Sequence, residues 1–310
     1  MQIGVLYALV GYSVYACGDA LIKGFGTTLS VFEIGFFVAL FSLLPALFAK
    51  PKSESWRDSF RMVHPLLVNL RSASGVMSSI LVTYAFVTTP FAETYSLVFL
   101  MPVFITIFSV VLLRETVGPM RWLLLLIGFA GVMLVVRPGF RELGLGHLAA
   151  MLCAVFGATS TTVLRVIAGT EKRVTLIALP AIYVLVVNAI LMIPSFVVPT
   201  PLQFGLLAAS GALIGMGHIL LILATRNAPA SQVAPIQYVQ IVWAIGLGAI
   251  FFFEYPDLLA FFGMALVVGS GLVSIVLDGA RARIASRFAE YRARRNTTNP
   301  PVDEVRGPQI

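Results

Sequence analysis

PASQVAPIQYVQIVWAIGLGAIFFFE, running from Pro229 to Glu254, threads two glutamines, a tyrosine and a tryptophan through a segment otherwise apolar enough for lipid. PFAETYSLVFLMPVFITIFSVVLLRE, from Pro90 to Glu115, has the same length and outline. Displaced by 139 residues, the earlier stretch overlays the later one: Pro90 falls on Pro229, Ala92 on Ser231, Glu93 on Gln232, Phe99 on Tyr238, Phe104 on Trp243 and Glu115 on Glu254. A displacement of 142 puts Gly4 on Gly146 and Lys23 on Arg165. The same unit is written twice, and that repetition decides the fold.

Composition supplies the solvent. Of 310 residues 59% are hydrophobic and 11% charged, with a mean hydropathy of +0.95, where a soluble domain carries roughly 25% charged residues. Most of this chain therefore faces hydrocarbon. A helix crosses that layer in about 20 apolar residues, and ten such runs are legible: Gly4–Ile22, Phe32–Ala49, Pro65–Thr88, Phe91–Leu113, Pro119–Val136, Leu145–Leu164, Val174–Val197, Leu202–Ala224, Ser231–Phe253 and Pro256–Leu277. The third and fourth are separated only by Thr89 and Pro90. The runs lack the ten-residue alternation of a barrel strand. The first lacks a basic leader, and Tyr7, Tyr12, Tyr15 and Asp19 make it a poor signal core. Cys17 and Cys153 fall inside runs, with no spacing that suggests a metal or redox site, and are expected reduced.

The expectation is an all-α integral membrane protein of ten helices in two five-helix units, 1–138 and 139–278, followed by a basic tail, 279–310. Five is odd, so the second unit enters the membrane upside down. Inverted repeats of this kind place a binding site near the midplane, where the halves meet. With the amino terminus inside, seventeen basic residues lie on the cytoplasmic side against Lys23, Arg137 and Arg141 outside. The positive-inside rule then puts both termini in the cytoplasm. The tail, which includes RARIASRFAEYRARR, reads either as a basic helix on the anionic inner leaflet or as disorder after the last span. No folded basic domain accompanies it, so nucleic acid is not an expected partner.

The run from Asn69 to Gly139 resembles the EamA domain of the drug/metabolite transporter superfamily. The elements that carry the resemblance are Pro90–Thr94, Pro102–Phe104, Leu112–Glu115, Gly128–Gly131 and Arg137–Gly139. A looser second copy has Pro229–Ser231, Leu247–Glu254 and Gly263–Gly271. The resemblance implies a bacterial-type inner-membrane transporter for small molecules, in a superfamily that handles amino acids, nucleotide sugars, vitamins, S-adenosylmethionine and drugs. Relatives of this type often carry an arginine in the second helix where this chain reads Gly35–Phe36–Phe37–Val38, so that role is not carried over. Their Asp-x-x-x-Lys ending of the first helix is matched by Asp19 and Lys23.

Candidate substrate-binding residues are the polar and aromatic ones inside the runs: Tyr15, Asp19, Arg71, Tyr95, Phe99, Gln237, Tyr238, Gln240 and Trp243. Asp19 either binds a cation or proton or pairs with Lys23 one turn on. Glu93 reads as the partner of a helix N-terminus. Arg71 either snorkels to the cytoplasmic surface or faces a cavity as an anion site. Gln237, Gln240 and Ala244 follow helical spacing, and glutamine in lipid must face protein or water. They form either helix–helix contacts or the wall of a cavity shared with Tyr95, Phe99, Met101 and Phe104. Ser72, Gly75, Ser79 and Thr83, like Gly211, Gly215 and Gly217, read as packing stripes, with His218 beside the second.

The resulting expectation is a secondary transporter of an amino acid, vitamin or nucleoside-like metabolite, with membrane lipid around it and coupling to a proton or ion left open. Oligomeric state is not specified. The alternative class is a membrane-embedded enzyme or a channel. No GxxxxGK[ST] loop, metal spacing, Ser–His arrangement or filter-like repeat is present in the sequence. Cofactor: none expected.

Overall fold

A computed structural model describes residues 3–26, 28–48, 61–137, 143–228, 233–274 and 276–277. The expected tail, 279–310, and the basic connector from Lys50 to Arg57 lie outside these residues. All regular structure among the described residues is helical. In chain order the helices are α1 Ile3–Gly24, α2 Val31–Phe48, α3 Pro65–Thr88, α4 Phe91–Val98, α5 Met101–Leu113, α6 Pro119–Val136, α7 Leu145–Ile167, α8 Arg173–Met192, α9 Pro201–Asn227 and α10 Val239–Phe252, followed by α11, Leu258–Ser274. Proline opens α3, α6 and α9, where its missing N–H would have had no helical acceptor.

Seven stretches are long and apolar enough to cross a membrane, α4 and α5 counting as one. Three shorter apolar helices accompany them, Val31–Leu43, Ile236–Phe252 and Leu258–Ser274. The outside of the molecule is oily: Leu126, Ile250, Phe251 and Phe262 are each more than half exposed. Soluble proteins do not leave contiguous surfaces of this kind uncovered. This is a multi-pass membrane protein.

The break between α3 and α4 falls at Thr89–Pro90 as the sequence suggested. Two expected continuous helices are instead irregular. The run from Phe91 to Leu113 is interrupted at Phe99–Leu100, because Pro102 has no N–H for the Val98 carbonyl and its ring crowds that turn. The run before Phe252 begins as a tight 3₁₀ stretch, Ala234–Tyr238, containing Pro235, before relaxing into α10. Phe99 and Tyr238 are repeat-mates at the 139-residue displacement, so the two irregularities coincide.

Packing is reciprocal between the halves. α1 lies along α9 and α3 along α7, while α2 contacts both α8 and α9. Small residues set the spacing. A Cβ built at Gly131 of α6 would lie 2.6 Å from the Gly263 carbonyl oxygen of α11, and one at Gly263 would lie 2.5 Å from the Gly131 oxygen. Both positions therefore require glycine for the backbones to meet. The stripes read from the sequence behave likewise: Ser72 is fully buried in α3, and Gly211 and Gly217 of α9 receive Phe41 and Tyr15.

Candidate functional site

The irregular turn at Phe99 and the 3₁₀ stretch before α10 bring aromatic residues face to face. Phe99 stacks on Tyr238 with centroids 5.1 Å apart and planes 29° from parallel, and Tyr95 stacks on Phe99 at 6.2 Å. A residue touching its own repeat-mate is what a local two-fold axis would produce. Phe86 and Phe91 pack against Tyr95 from behind, at 5.4 and 5.1 Å, which fixes the orientation of its phenol.

That phenol joins three helices. Tyr95 Oη–H donates to Asp19 Oδ2 of α1 at 2.5 Å, and Gln240 Nε2–H of α10 donates to Tyr95 Oη at 3.4 Å. Trp243, one helical step beyond Gln240, donates Nε1–H to Ser13 Oγ of α1 at 2.8 Å. Ser13 was not among the residues singled out from sequence; a serine six residues before Asp19 carries no distinguishing local signal. Tyr15 packs edge-on against His218 of α9, centroids 5.2 Å apart, while His218 Nδ1 meets the Ile214 carbonyl at 3.0 Å. Asp19, Tyr15, Phe99, Gln237 and Gln240 remain partly accessible, whereas Tyr95 and Tyr238 are buried. Gln237 lies in the 3₁₀ stretch, so the α-helical spacing from Gln240 to Ala244 does not extend back to it.

Arg71 is not part of this constellation. It donates Nη1–H to the Leu176 carbonyl of α8 at 2.7 Å. The reason lies four residues on: Pro180 sits inside α8 and has no N–H to offer Leu176. Arg71 satisfies the carbonyl that the proline leaves unbonded, within a cluster formed by Val68, Val163, Ile167 and Leu179.

One further expectation is corrected: Asp19 does not pair with Lys23. Lys23 Nζ instead lies 2.8 Å from Glu254 Oε1, donates to the Thr89 carbonyl at 2.8 Å and the Phe86 carbonyl at 3.4 Å, and sits over the Phe252 ring at 5.2 Å. The partner came from the other half of the chain, which i,i+4 reasoning does not reach. Glu93 stands in the first turn of α4, and its Oε2 meets His147 Nε2 of α7 at 2.9 Å; at the same helix end Glu254 Oε2 accepts from Phe91 N–H at 2.7 Å.

The two repeat-mate glutamates have parallel surroundings. Arg114 and Phe253 both adopt left-handed backbone, each with φ of 55°. Their own amides close six-to-one bonds, Arg114 N–H to the Ser109 carbonyl and Phe253 N–H to the Gly248 carbonyl, and the next amides share those acceptors, Glu115 N–H at 3.1 Å and Glu254 N–H at 3.0 Å. Glu115 Oε1 then meets Arg165 Nη2 of α7 at 2.9 Å, and Arg165 Nη1 donates to Ser109 Oγ at 2.9 Å. Lys23 and Arg165 are repeat-mates, as are Glu254 and Glu115. Each basic residue therefore binds the glutamate of the opposite half.

Comparison with known proteins agrees with this architecture. The profile of the EamA-like transporter family matches residues 2–137 and again 144–276. The pseudopaline exporter CntI of Pseudomonas aeruginosa is 29% identical over 275 residues, covering 86% of this chain and 94% of that protein. The S-adenosylmethionine uptake transporter of Rickettsia bellii is 25% identical over 281 residues, covering 88% and 94%. A riboflavin transporter of Rhizobium johnstonii is 27% identical over 184 residues, covering 59% and 61%. A solved crystal structure with 19% identity superposes with a TM-score of 0.59 over 89% of this chain and 96% of its own, a likeness of fold. Matched twice, in two halves that together take in nearly all the described helices, the chain belongs to the EamA-like transporter family.

Proposed function

We propose that this protein is a secondary transporter that moves a small organic metabolite, such as an amino acid, a vitamin or a nucleoside-like molecule, across a bacterial inner membrane by alternating access. The relatives named above are transporters of small molecules, in both the export and the uptake direction. In this reading the chain spans the membrane ten times as two inverted five-helix units, 1–138 and 139–278, with both termini and the tail 279–310 in the cytoplasm. It is neither an enzyme nor a channel.

The observation that carries the reading is the pair of crossed ion pairs. Side chains of Lys23 and Glu254 are 8% and 26% exposed, those of Arg165 and Glu115 48% and 43%. With the amino terminus inside, the first pair closes the outer end, and the second lies more open at the inner end. Exchanging which pair is buried would expose the Tyr95–Phe99–Tyr238–Gln240 cluster to each side in turn, as inverted-repeat transporters do. Arg137–Asp257 and His147–Glu93 also cross between the halves at the outer end. Breaks in α4–α5 and before α10 supply the irregular backbone such proteins place beside a central site.

Reconstituted protein should exchange labelled S-adenosylmethionine, riboflavin or an amino acid for the same unlabelled compound inside sealed vesicles, without ATP. Absence of exchange across a broad metabolite panel by folded protein, or ATP hydrolysis that survives purification, contradicts the proposal. Topology is checked separately in a chain lacking Cys17 and Cys153. A cysteine at Thr298 should stay unreactive to an impermeant thiol reagent in intact cells; reaction there overturns the orientation.

A further inference from the structure

We infer that Asp19 is the counter-charge for a cationic centre, an ammonium or sulfonium, on the transported molecule, so that the substrate class is organic cations and zwitterions rather than neutral compounds. This rests on the reading of the α1–α4–α10 cluster as the substrate site.

The first ground is the fate of the cations near it. Asp19 sits in α1, inside a stretch long and apolar enough to span, where an unpaired carboxylate is costly. Lys23, one turn on, has its donors directed at Glu254 and the Thr89 and Phe86 carbonyls. Arg71 is committed to Leu176 of α8. His218 holds the Ile214 carbonyl with one ring nitrogen and faces Tyr15 edge-on. Among the described residues no basic side chain pairs with Asp19, which nevertheless keeps part of its surface accessible.

The second ground is the direction of the hydrogen bonds. Gln240 donates to the Tyr95 oxygen, which frees the Tyr95 proton for Asp19. Among the described residues Tyr95 alone donates to the carboxylate, with Gln240 behind it, and a donated hydrogen bond favours the anionic, accepting form. One lone hydroxyl donor does not neutralise it. What is missing is positive charge, and among the described residues no donor is bonded to the other carboxylate oxygen.

The third ground is the surface around it. Tyr15 precedes Asp19 by one turn, Tyr95 touches it, and the Phe99–Tyr238 stack continues from Tyr95. Trp243 is tied to the same helix through Ser13. Aromatic faces beside an acceptor carboxylate attract onium groups through the ring quadrupole, and they give a neutral ligand no equivalent of the charge.

The test is equilibrium binding to purified full-length protein with two cationic probes, S-adenosylmethionine and tetraphenylphosphonium, and the uncharged riboflavin. Asp19→Asn keeps the acceptor for Tyr95 but removes the charge, and Asp19→Glu restores it. We expect at least one cation to bind the wild-type chain, to lose about tenfold or more in affinity in Asp19→Asn, and to recover in part in Asp19→Glu. Riboflavin should bind the wild-type chain more weakly than that cation, and equal or tighter binding of riboflavin contradicts the cationic preference. The inference is overturned if neither cation binds the wild-type chain, or if Asp19→Asn binds them as tightly. It is overturned equally if Asp19→Asn loses only a proton-driven step at unchanged cation affinity. Exchange of any metabolite by the wild-type chain under these negative outcomes would leave the transporter reading standing, so the two failures are distinguishable. Thermal unfolding of each variant shows whether a loss is one of folding.

Discussion

The Lys23–Glu254 and Arg165–Glu115 pairs occupy corresponding positions in the two halves, yet their surroundings differ. Both glutamates follow a left-handed residue, and both amides bond to the carbonyl six residues back. At the first, the glutamate also holds Phe91 N–H and the lysine two further carbonyls, and the lysine side chain is 8% exposed. At the second, Arg165 has, among the described residues, Ser109 besides Glu115, and its side chain is 48% exposed. Backbone symmetry is kept while solvation symmetry is broken. Under the alternating access proposed above, the two ends are at different stages of one movement.

The largest test of the contrast is Glu254→Gln, which leaves the Lys23 ammonium buried without its anion. Loss of one partner of a buried pair costs about 3–5 kcal/mol, read as a lower Tm in detergent. If the change is as mild as at the other end, the burial difference has no energetic meaning. Arg71→Met lies outside both ends and serves as a control. It strands the Leu176 carbonyl and should cost about 1–3 kcal/mol of stability, with ligand affinity unchanged in the folded fraction. Arg114→Gly and Phe253→Gly relieve left-handed backbone and should each stabilise by about 0.5–1 kcal/mol. Equal effects confirm that the two caps are energetically alike; unequal ones break the symmetry at the backbone. The smallest change expected is Arg165→Gln, about 0–1 kcal/mol and weakened further by salt, as for any exposed pair.

Sequence made the helical runs legible because hydrocarbon demands long apolar segments with internally bonded backbone. The duplicated outline also drew attention to aromatic and amide residues that the fold brings together: Tyr95, Phe99, Tyr238 and Gln240 do meet. What hydropathy conceals is backbone continuity. Pro102 and Pro235 signal the irregular turns, but both lie in stretches whose apolar character runs on uninterrupted. Pairings between halves were less accessible still. Asp19 and Lys23 sit one turn apart and suggest each other, whereas Glu254 is 231 residues from Lys23 in the chain and reaches it only after α10 folds beside α1. Arg71 offered a choice between lipid surface and cavity, and the answer was a carbonyl orphaned by a proline in another helix.

The central claim is that the two ends exchange their closed and open states. Spin labels at Gly24 and Tyr255 report the Lys23–Glu254 end, and labels at Val166 and Thr116 report the other. Gly24 has open space for an added Cβ, and the other three positions border their pairs in the same way. Distances measured by pulsed electron resonance in the wild-type chain and in Glu254→Gln should move oppositely. Weakening the buried pair is expected to lengthen the Gly24–Tyr255 distance while the Val166–Thr116 distance shortens. Two distances that stay fixed, or that lengthen together, would contradict alternating access in this protein.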